Sequence, residues 1–322
     1  MPELDRRLAD LTPEKRRILT ELLKSKASTA REERGGVTVT VDTALAASAP
    51  EPQPLEDLSN PGAPYATKVS WKRFYDGVSA QLNSNVFGQF SYFLNYGYKP
   101  DGQPEYAAAP LPEQYINKNS VKLVLEVIGD CPVEGKRVLD VGCGRGGTVH
   151  VFQTFFKPAS IRGLDLSSTA IQFCRQAHKR KDTTFYEGDA ENLPFEDSSL
   201  DIVTNLESSH SYPNIFRFYS EVHRVLASGG HFLYTDTLAL QQMASCIRYL
   251  QQLGFEVLRD RDITRNVLLS CDEIAATRMG AFDTRNDQQL IHNFLATPGS
   301  QVYEEMRSGR WTYRILKLKK QS

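Results

Sequence analysis

Leu4, Leu8 and Leu11 fall on one face of a 3.6-residue period, and Ile18, Leu19, Leu22 and Leu23 fall on another, so the pattern over residues 1–34 predicts helix. Thr12, Pro13 and Glu14, between the two runs, suit an N-cap and the first two helical positions. Charges of both signs fill the remaining faces. A piece this short builds no core of its own, so it is expected to pack on the main domain, to dock on a partner helix or to stand as a solvated extension. Over residues 35–64 the periodicity stops. Gly35 and Gly36 open a run rich in Ala, Ser and Glu and punctuated by Pro50, Pro52, Pro54, Pro61 and Pro64, which is linker chemistry. Val37–Val41 alternates like a strand inside it and has no assigned place. Residues 65–322 read as one globular domain.

Within that domain, residues 68–100 carry Trp71, Phe74, Tyr75, Phe87, Phe90, Tyr92, Phe93, Tyr96 and Tyr98, broken up by Gly88, Gly97 and Pro100. Residues 68–110 are therefore assigned as an aromatic lid or core piece. A nucleic-acid stacking platform would interleave these rings with Lys and Arg, which are scarce between residues 74 and 98. Strand-like apolar runs and helical patterns then alternate. The strands are expected at Arg137–Val141, Ile161–Leu166, Thr184–Glu187, Leu200–Asn205, Gly230–Thr235, Phe255–Arg259 and Trp311–Lys319. Helices are expected at about 112–129, 147–157, 168–181, 213–227, 240–253 and 271–295. Such alternation predicts an α/β fold with a doubly wound, mostly parallel seven-stranded sheet and helices on both faces. Ligands of these sheets bind beyond the strands' carboxyl ends, where strand order reverses. Residues 111–264 form the expected core, 265–310 a helical cap and 311–320 the last strand.

Composition narrows the class. With 40% hydrophobic residues the chain can bury a substantial core, and 38 Lys and Arg against 39 Asp and Glu disfavour a nucleic-acid partner held by phosphate neutralisation. No run approaches the ~20 apolar residues of a membrane span, and the N-terminal residues lack the apolar core of a signal peptide. The five cysteines are scattered, with no CxxC pair, which points to a reducing cytoplasm rather than a disulfide framework or a zinc site. No acidic or histidine cluster has metal-ligand spacing, so no metal is expected.

The chemistry concentrates in Val138-Leu-Asp-Val-Gly-Cys-Gly-Arg-Gly-Gly147, an apolar strand running into a glycine-rich turn and then a helix. Gly142, Gly144 and Gly147 satisfy GxGxxG, which on its own suggests a nicotinamide or flavin dinucleotide. Asp140 argues otherwise, because a carboxylate beside the turn repels a diphosphate and suits an ammonium or a ribose. Asp165 ends the next strand about 20 residues on, the distance expected of a carboxylate holding a ribose diol. A cationic nucleoside without phosphates fits both, and S-adenosylmethionine (SAM) is such a molecule.

Val138–Gly147, Gly163-Leu-Asp-Leu-Ser167, Glu187-Gly-Asp-Ala190 with Leu193-Pro-Phe195, Leu200-Asp-Ile-Val203 and Val225-Leu-Ala-Ser-Gly-Gly230 resemble, in this order, the signature of class I SAM-dependent methyltransferases. Asn95-Tyr-Gly-Tyr98, Glu207-Ser-Ser-His210 and Gly299–Arg314 are similar to small-molecule O-methyltransferases of polyketide and nonribosomal peptide pathways. Leu11–Leu19 resembles helical linker segments of such megasynthases, which gives residues 1–34 a possible docking role. The resemblance implies that Asp140, Gly142 and Gly144 flank the methionine part of SAM and that Asp165 binds the ribose. It likewise implies that Leu166 packs on adenine, Asp189 accepts from its amino group, Ala190 offers backbone contacts and Leu206 lines the pocket. Arg145 is expected to face solvent.

Methyl transfer to a hydroxyl needs in-line positioning and removal of a proton, a task suited to histidine. Of six histidines, His210 alone follows a strand's carboxyl end and is the candidate base; the competing reading is a structural histidine. Asp236 ends the fifth strand, which neighbours the fourth in this fold, so it could meet His210 over the pocket and orient it; Glu207, one turn before His210, is the competitor. For Asp236 a helix N-cap or loop hydrogen bond is the alternative. Tyr92, Tyr96 and Tyr98 would close over the acceptor or pack in the core. Arg265, Arg278, Arg285 and Arg307 would meet an acidic group in the cap or lie scattered on the surface. The expected partner is a small-molecule or carrier-protein-bound acceptor, with carbon and nitrogen acceptors open beside oxygen. A nicotinamide dehydrogenase and a non-catalytic SAM-binding scaffold are the alternative functions.

Overall fold

A computed structural model describes residues 64–84, 91–102, 111, 117–279 and 288–321, all within the compact unit Val41–Ser322. The predicted helix over 1–34, the linker before Pro64, Phe87, Phe90 and Arg285 lie outside the described residues. The chain order is α1 (Pro64–Ser84), α2 (Lys118–Ile128), β1 (Arg137–Val141), α3 (Gly147–Phe155), β2 (Ser160–Asp165), α4 (Ser168–Ala177) and β3 (Thr183–Glu187). There follow β4 (Leu200–Leu206), a short 3-10 turn (Ser209–Ser211), α5 (Ile215–Val225), β5 (Leu226–Ala239), α6 (Leu240–Gln252) and β6 (Phe255–Asp262). The chain closes with α7 (Thr264–Met279), α8 (Gln288–Phe294), α9 (Gln301–Arg307) and β7 (Trp311–Lys320).

The strands form one seven-stranded sheet of order β3-β2-β1-β4-β5-β7-β6. Pairs among β1 to β5 are parallel, whereas β7 runs antiparallel to both β5 and β6. Parallel strands buried on two faces need apolar residues at successive positions, and alternate side chains then belong to opposite layers. Val138, Ile202, Leu233 and Ile315 pack with α2, α3 and α7. Their neighbours Leu139, Val203, Phe232 and Leu316 pack with α5 and α6. The chain moves outward through β2 and β3 and then returns to place β4 on the other side of β1. Strand order therefore reverses between β1 and β4, and a cleft opens beyond their carboxyl ends.

All seven expected strands are present, several extended by a few residues. The helical regions differ more. The expected helix at 271–295 begins instead at Thr264, α8 and α9 follow separately, and α1 occupies a region read only as aromatic-rich. Helix α1 has three stripes at i, i+4, i+8 spacing. Phe74, Val78 and Leu82 are buried; Trp71, Tyr75 and Ser79 line the cleft; Lys68, Lys72 and Asp76 meet the ends of β2, β3 and α4. Because α1 presents apolar, aromatic and charged stripes to three different surfaces, no single apolar face marks it as a helix.

Candidate active site

The turn after β1 is built for close approach. Gly142 has φ 70°, and a Cβ there would overlap the Ser208 hydroxyl, so only glycine fits. Gly144 donates its N–H to Asp165 Oδ2 at 2.7 Å, and Ser167 donates to Asp165 Oδ1 at 2.8 Å, which locks the ends of β1 and β2 together. A Cβ at Gly147, the first residue of α3, would lie 2.6 Å from the Phe93 ring, so the lid loop rests directly on the helix start. Arg145 corrects an expectation: it is wholly buried rather than solvated. Its guanidinium donates to Ser91 O at 2.8 Å and Asn83 Oδ1 at 2.8 Å and lies 3.6 Å over the Phe173 ring, clamping the lid onto the turn. Burial draws its pKa down to about 10.

Gly142, Gly144, Asp165, Leu166, Asp189, Ala190 and Leu206 all line one cavity, with Glu207, His210, Tyr92 and Tyr96. Asp140 does not line it. It is buried behind the turn, with Oδ1 accepting from Thr204 Oγ1 at 2.8 Å, and burial pushes its carboxyl up to about 7. Its Oδ2 has no hydrogen-bond partner among the described residues. Tyr98 is likewise a core residue: it is buried and its hydroxyl accepts from Arg261 at 3.2 Å. Asp189 already holds the Lys68 ammonium at 2.8 Å, and the same ammonium reaches Glu191 at 2.6 Å. Lys72 donates to Leu166 O at 2.7 Å and Glu187 at 2.8 Å. These lysines escaped the sequence reading, because their role depends on two strand ends more than 90 residues away.

At the other end of the cavity His210 and Asp236 meet. The 3-10 turn brings His210 Nδ1 to 2.7 Å from Asp236 Oδ1, and the His210 N–H donates to Asp236 Oδ2 at 3.0 Å. Asp236 is fully buried and also accepts from Ser209 Oγ at 2.6 Å. The His210 side chain keeps 27% exposure. Burial lowers its pKa, but the Asp236 charge and hydrogen bond outweigh that and raise it above the ordinary 6.5. Glu207 does not orient His210. Its carboxylate accepts from Tyr96 N at 2.8 Å and from the Tyr313 hydroxyl, and burial pushes it up to about 7. Of the cap arginines, Arg265 and Arg307 are exposed and paired with Asp101 and Glu304, and Arg278 donates to Asn95 O and to Ser120 Oγ at 3.1 Å.

Residues 139–234 match the family model of a methyltransferase domain. The chain is 38% identical over 226 residues to a fatty-acid O-methyltransferase of Mycolicibacterium smegmatis, covering 69% of this chain and 81% of that protein. The chain belongs to the class I SAM-dependent methyltransferases. It is also 31% identical over 258 residues, 80% of this chain and 93% of the relative, to phthiotriol/phenolphthiotriol dimycocerosates methyltransferase 1 of Mycobacterium ulcerans. Two solved structures share the fold. The 4+2 cyclase SpnF has TM-score 0.61 at 21% identity, covering 78% of this chain and 95% of that one. A geranyl diphosphate C-methyltransferase from Streptomyces coelicolor has TM-score 0.57 at 18% identity, covering 80% and 99%.

The cofactor of this methyltransferase is SAM, and the residues of the cavity fit it. The family match and the 38%-identical methyltransferase relative dispose of the dehydrogenase reading. Among the described residues no cluster of His, Cys, Asp or Glu could hold a metal, and no helix is long and apolar enough to cross a membrane. All five cysteines are buried and free.

Proposed function

We propose that this methyltransferase methylates an oxygen of an apolar, lipid-like or polyketide-derived small molecule, with His210 as general base. The observation that carries the reading is the 2.7 Å contact of His210 Nδ1 with the buried Asp236, in the cavity that the glycine turn also lines. Donation from Nδ1 to Asp236 fixes the tautomer in which Nε2 bears the lone pair. Nε2 takes the proton as the acceptor's O–H bond breaks and its O–CH3 bond forms. SAM supplies the methyl on a sulfonium and departs as S-adenosylhomocysteine. The rest of the site works by positioning, an effect worth ~7–11 kcal/mol in well-aligned reactions.

In this reading Gly142 and Gly144 flank the methionine part of SAM, Asp140 supports their turn from behind, and Asp165 holds the ribose. Leu166 packs on adenine, with Asp189 and Ala190 at its polar edge, and Leu206 closes the pocket. Trp71, Tyr75, Leu94, Tyr96 and Phe294 offer the acceptor an apolar, aromatic surround. The names of the relatives, which specify a fatty acid and phthiotriol or phenolphthiotriol dimycocerosates, support an acceptor of that character. They also favour a second reading in which a carboxyl oxygen is methylated. An ionised carboxylate needs no base, and His210 would then pair with it as a cation.

Mass spectrometry of methyl transfer separates these readings, with hydroxy-lipids, free fatty acids and carrier-protein-bound counterparts offered in parallel. His210→Ala should cut turnover of a hydroxyl acceptor by about 10²–10⁴ while SAM affinity stays near wild type. Because the base must be neutral, the wild-type rate should rise with pH through a limb above 6.5, in the direction in which Asp236 shifts the imidazole. Unchanged turnover in His210→Ala would remove the histidine from the reaction. Methylation of the tethered acceptor alone would place the enzyme on an assembly line.

A further inference from the structure

Glu207 is a non-glycine residue with φ 48° that lines the cavity. Its N–H donates to Thr235 O at 2.9 Å, so the ladder between β4 and β5 continues one residue past Leu206 before the chain turns. That left-handed turn directs the side chain toward the lid loop rather than along the sheet. There the two carboxylate oxygens both accept from the Tyr96 N–H, at 2.8 and 3.0 Å, and Oε1 also accepts from the Tyr313 hydroxyl. Tyr313 stands on β7 opposite Thr237, next to the strand position that carries Asp236.

We propose that Glu207 is a positioning residue for the acceptor: its carboxylate ties the lid loop at Tyr96 to the end of β4 and so sets the aromatic wall that faces His210. The loop has further anchors on its far side. Ser270 Oγ donates to Tyr96 O at 2.8 Å, and Tyr98 N donates to Asn119 O at 2.9 Å. Those bonds hold the loop to α7 and α2, away from the reactive end. Glu207 is the contact that holds it to the strand from which His210 follows. A strained backbone conformation is retained when the surrounding structure gains from it, and the gain here is a charged acceptor aimed at a loop amide. The groups around the carboxylate are Tyr96, Tyr313 and Arg278, with Asp236 as the neighbouring acid. Its role is separate from proton transfer, because its oxygens are committed to the lid and not to His210. The inference rests on the methyl-transfer reading of the cavity but not on His210 being the base.

The test is steady-state kinetics with an accepted hydroxy-lipid, together with SAM titration. Glu207→Ala should raise the acceptor KM by about tenfold or more, the scale of one lost charge-assisted hydrogen bond, while SAM affinity moves less than about twofold. Glu207→Gln keeps an oxygen for the Tyr96 amide and should restore most of the KM. In a Tyr96→Ala background, Glu207→Ala should add little, because both changes remove the same wall. Independent, additive effects on KM would overturn the proposal. So would a loss of kcat at unchanged KM that Gln fails to rescue, which would instead make Glu207 an acid or base. If Glu207→Ala fails to fold, Tyr313→Phe and Glu207→Gln decide through the same KM. Loss of activity in His210→Ala leaves this comparison intact, so the two ideas fail separately.

Discussion

Asp236 and Glu207 are both buried carboxyls near the reactive end of the cavity, yet their partners give them different work. Asp236 receives an imidazole and a backbone amide from the same residue, and Glu207 receives a loop amide and a phenol. Proximity in sequence favours Glu207 as the partner of His210, since it lies three residues away. The left-handed backbone at 207 turns it aside, and the pairing of β4 with β5 brings Asp236 in from 26 residues on. Asp165 is tied by two backbone amides and lines the cavity beside the glycine turn. Asp165→Ala should therefore weaken SAM binding, measured by titration calorimetry, while leaving Glu207 and His210 in place. Equal SAM affinity would remove Asp165 from the cofactor site. The glycine turn, the place of Asp165 at the end of β2 and that of His210 just after β4 were legible from residue type and position alone. Arg145 was not, since nothing in a glycine-rich turn announces that an arginine will be buried under a lid.

At the scale of elements, α1 shows how one helix serves three surfaces. Its buried stripe packs around Phe294, its ring stripe walls the cavity, and its charged stripe reaches the strand ends. Lys68 is held between two carboxylates, and those contacts outweigh burial in raising its pKa. Partly exposed ion pairs are worth about 0–1 kcal/mol, so Lys68→Ala should speed release of S-adenosylhomocysteine only a few-fold, and the wild-type release rate should rise with salt. Stopped-flow fluorescence of Trp71 is a direct readout. A release rate unaffected by both changes would mean that α1 does not move with the cofactor. The spacing of these stripes was present in the sequence. Their meaning depended on acidic strand ends that the fold brings to them.

For the whole molecule, the reversal between β1 and β4 is what collects residues 68–79, 142–148, 164–170, 188–191 and 206–213 around one cleft. It also isolates carboxyls from water. Glu207 and Asp140 are pushed up to about 7, above their ordinary values of 4.5 and 3.8. Between the unfolded and folded values the native state holds more protons, so these groups make stability fall as pH rises toward 7 and add no penalty below their unfolded pKa. Glu207→Gln should accordingly flatten the decline of Tm between about pH 4.5 and 7 relative to wild type, as followed by calorimetry of the SAM-free protein. A wild-type slope in the variant would mean that Glu207 is ionised in the fold throughout. Deleting residues 1–60, which lie outside the described region, is expected to leave a folded, SAM-binding domain.

The sequence by itself determined the order of the strands, the glycine turn, the acidic strand ends and the histidine after β4. These are properties of local pattern: apolar runs that must be buried, glycines that admit positive φ, and carboxylates at strand termini. Tertiary structure alone decided that Glu207 turns from His210 to the lid loop, that Tyr98 and Arg145 are buried, and that Asp140 sits behind the turn. It also decided that Lys68 and Lys72 tie α1 to the ends of β2 and β3. Each of these depends on which side chains from distant segments share one desolvated space, and spacing along the chain carries no record of that.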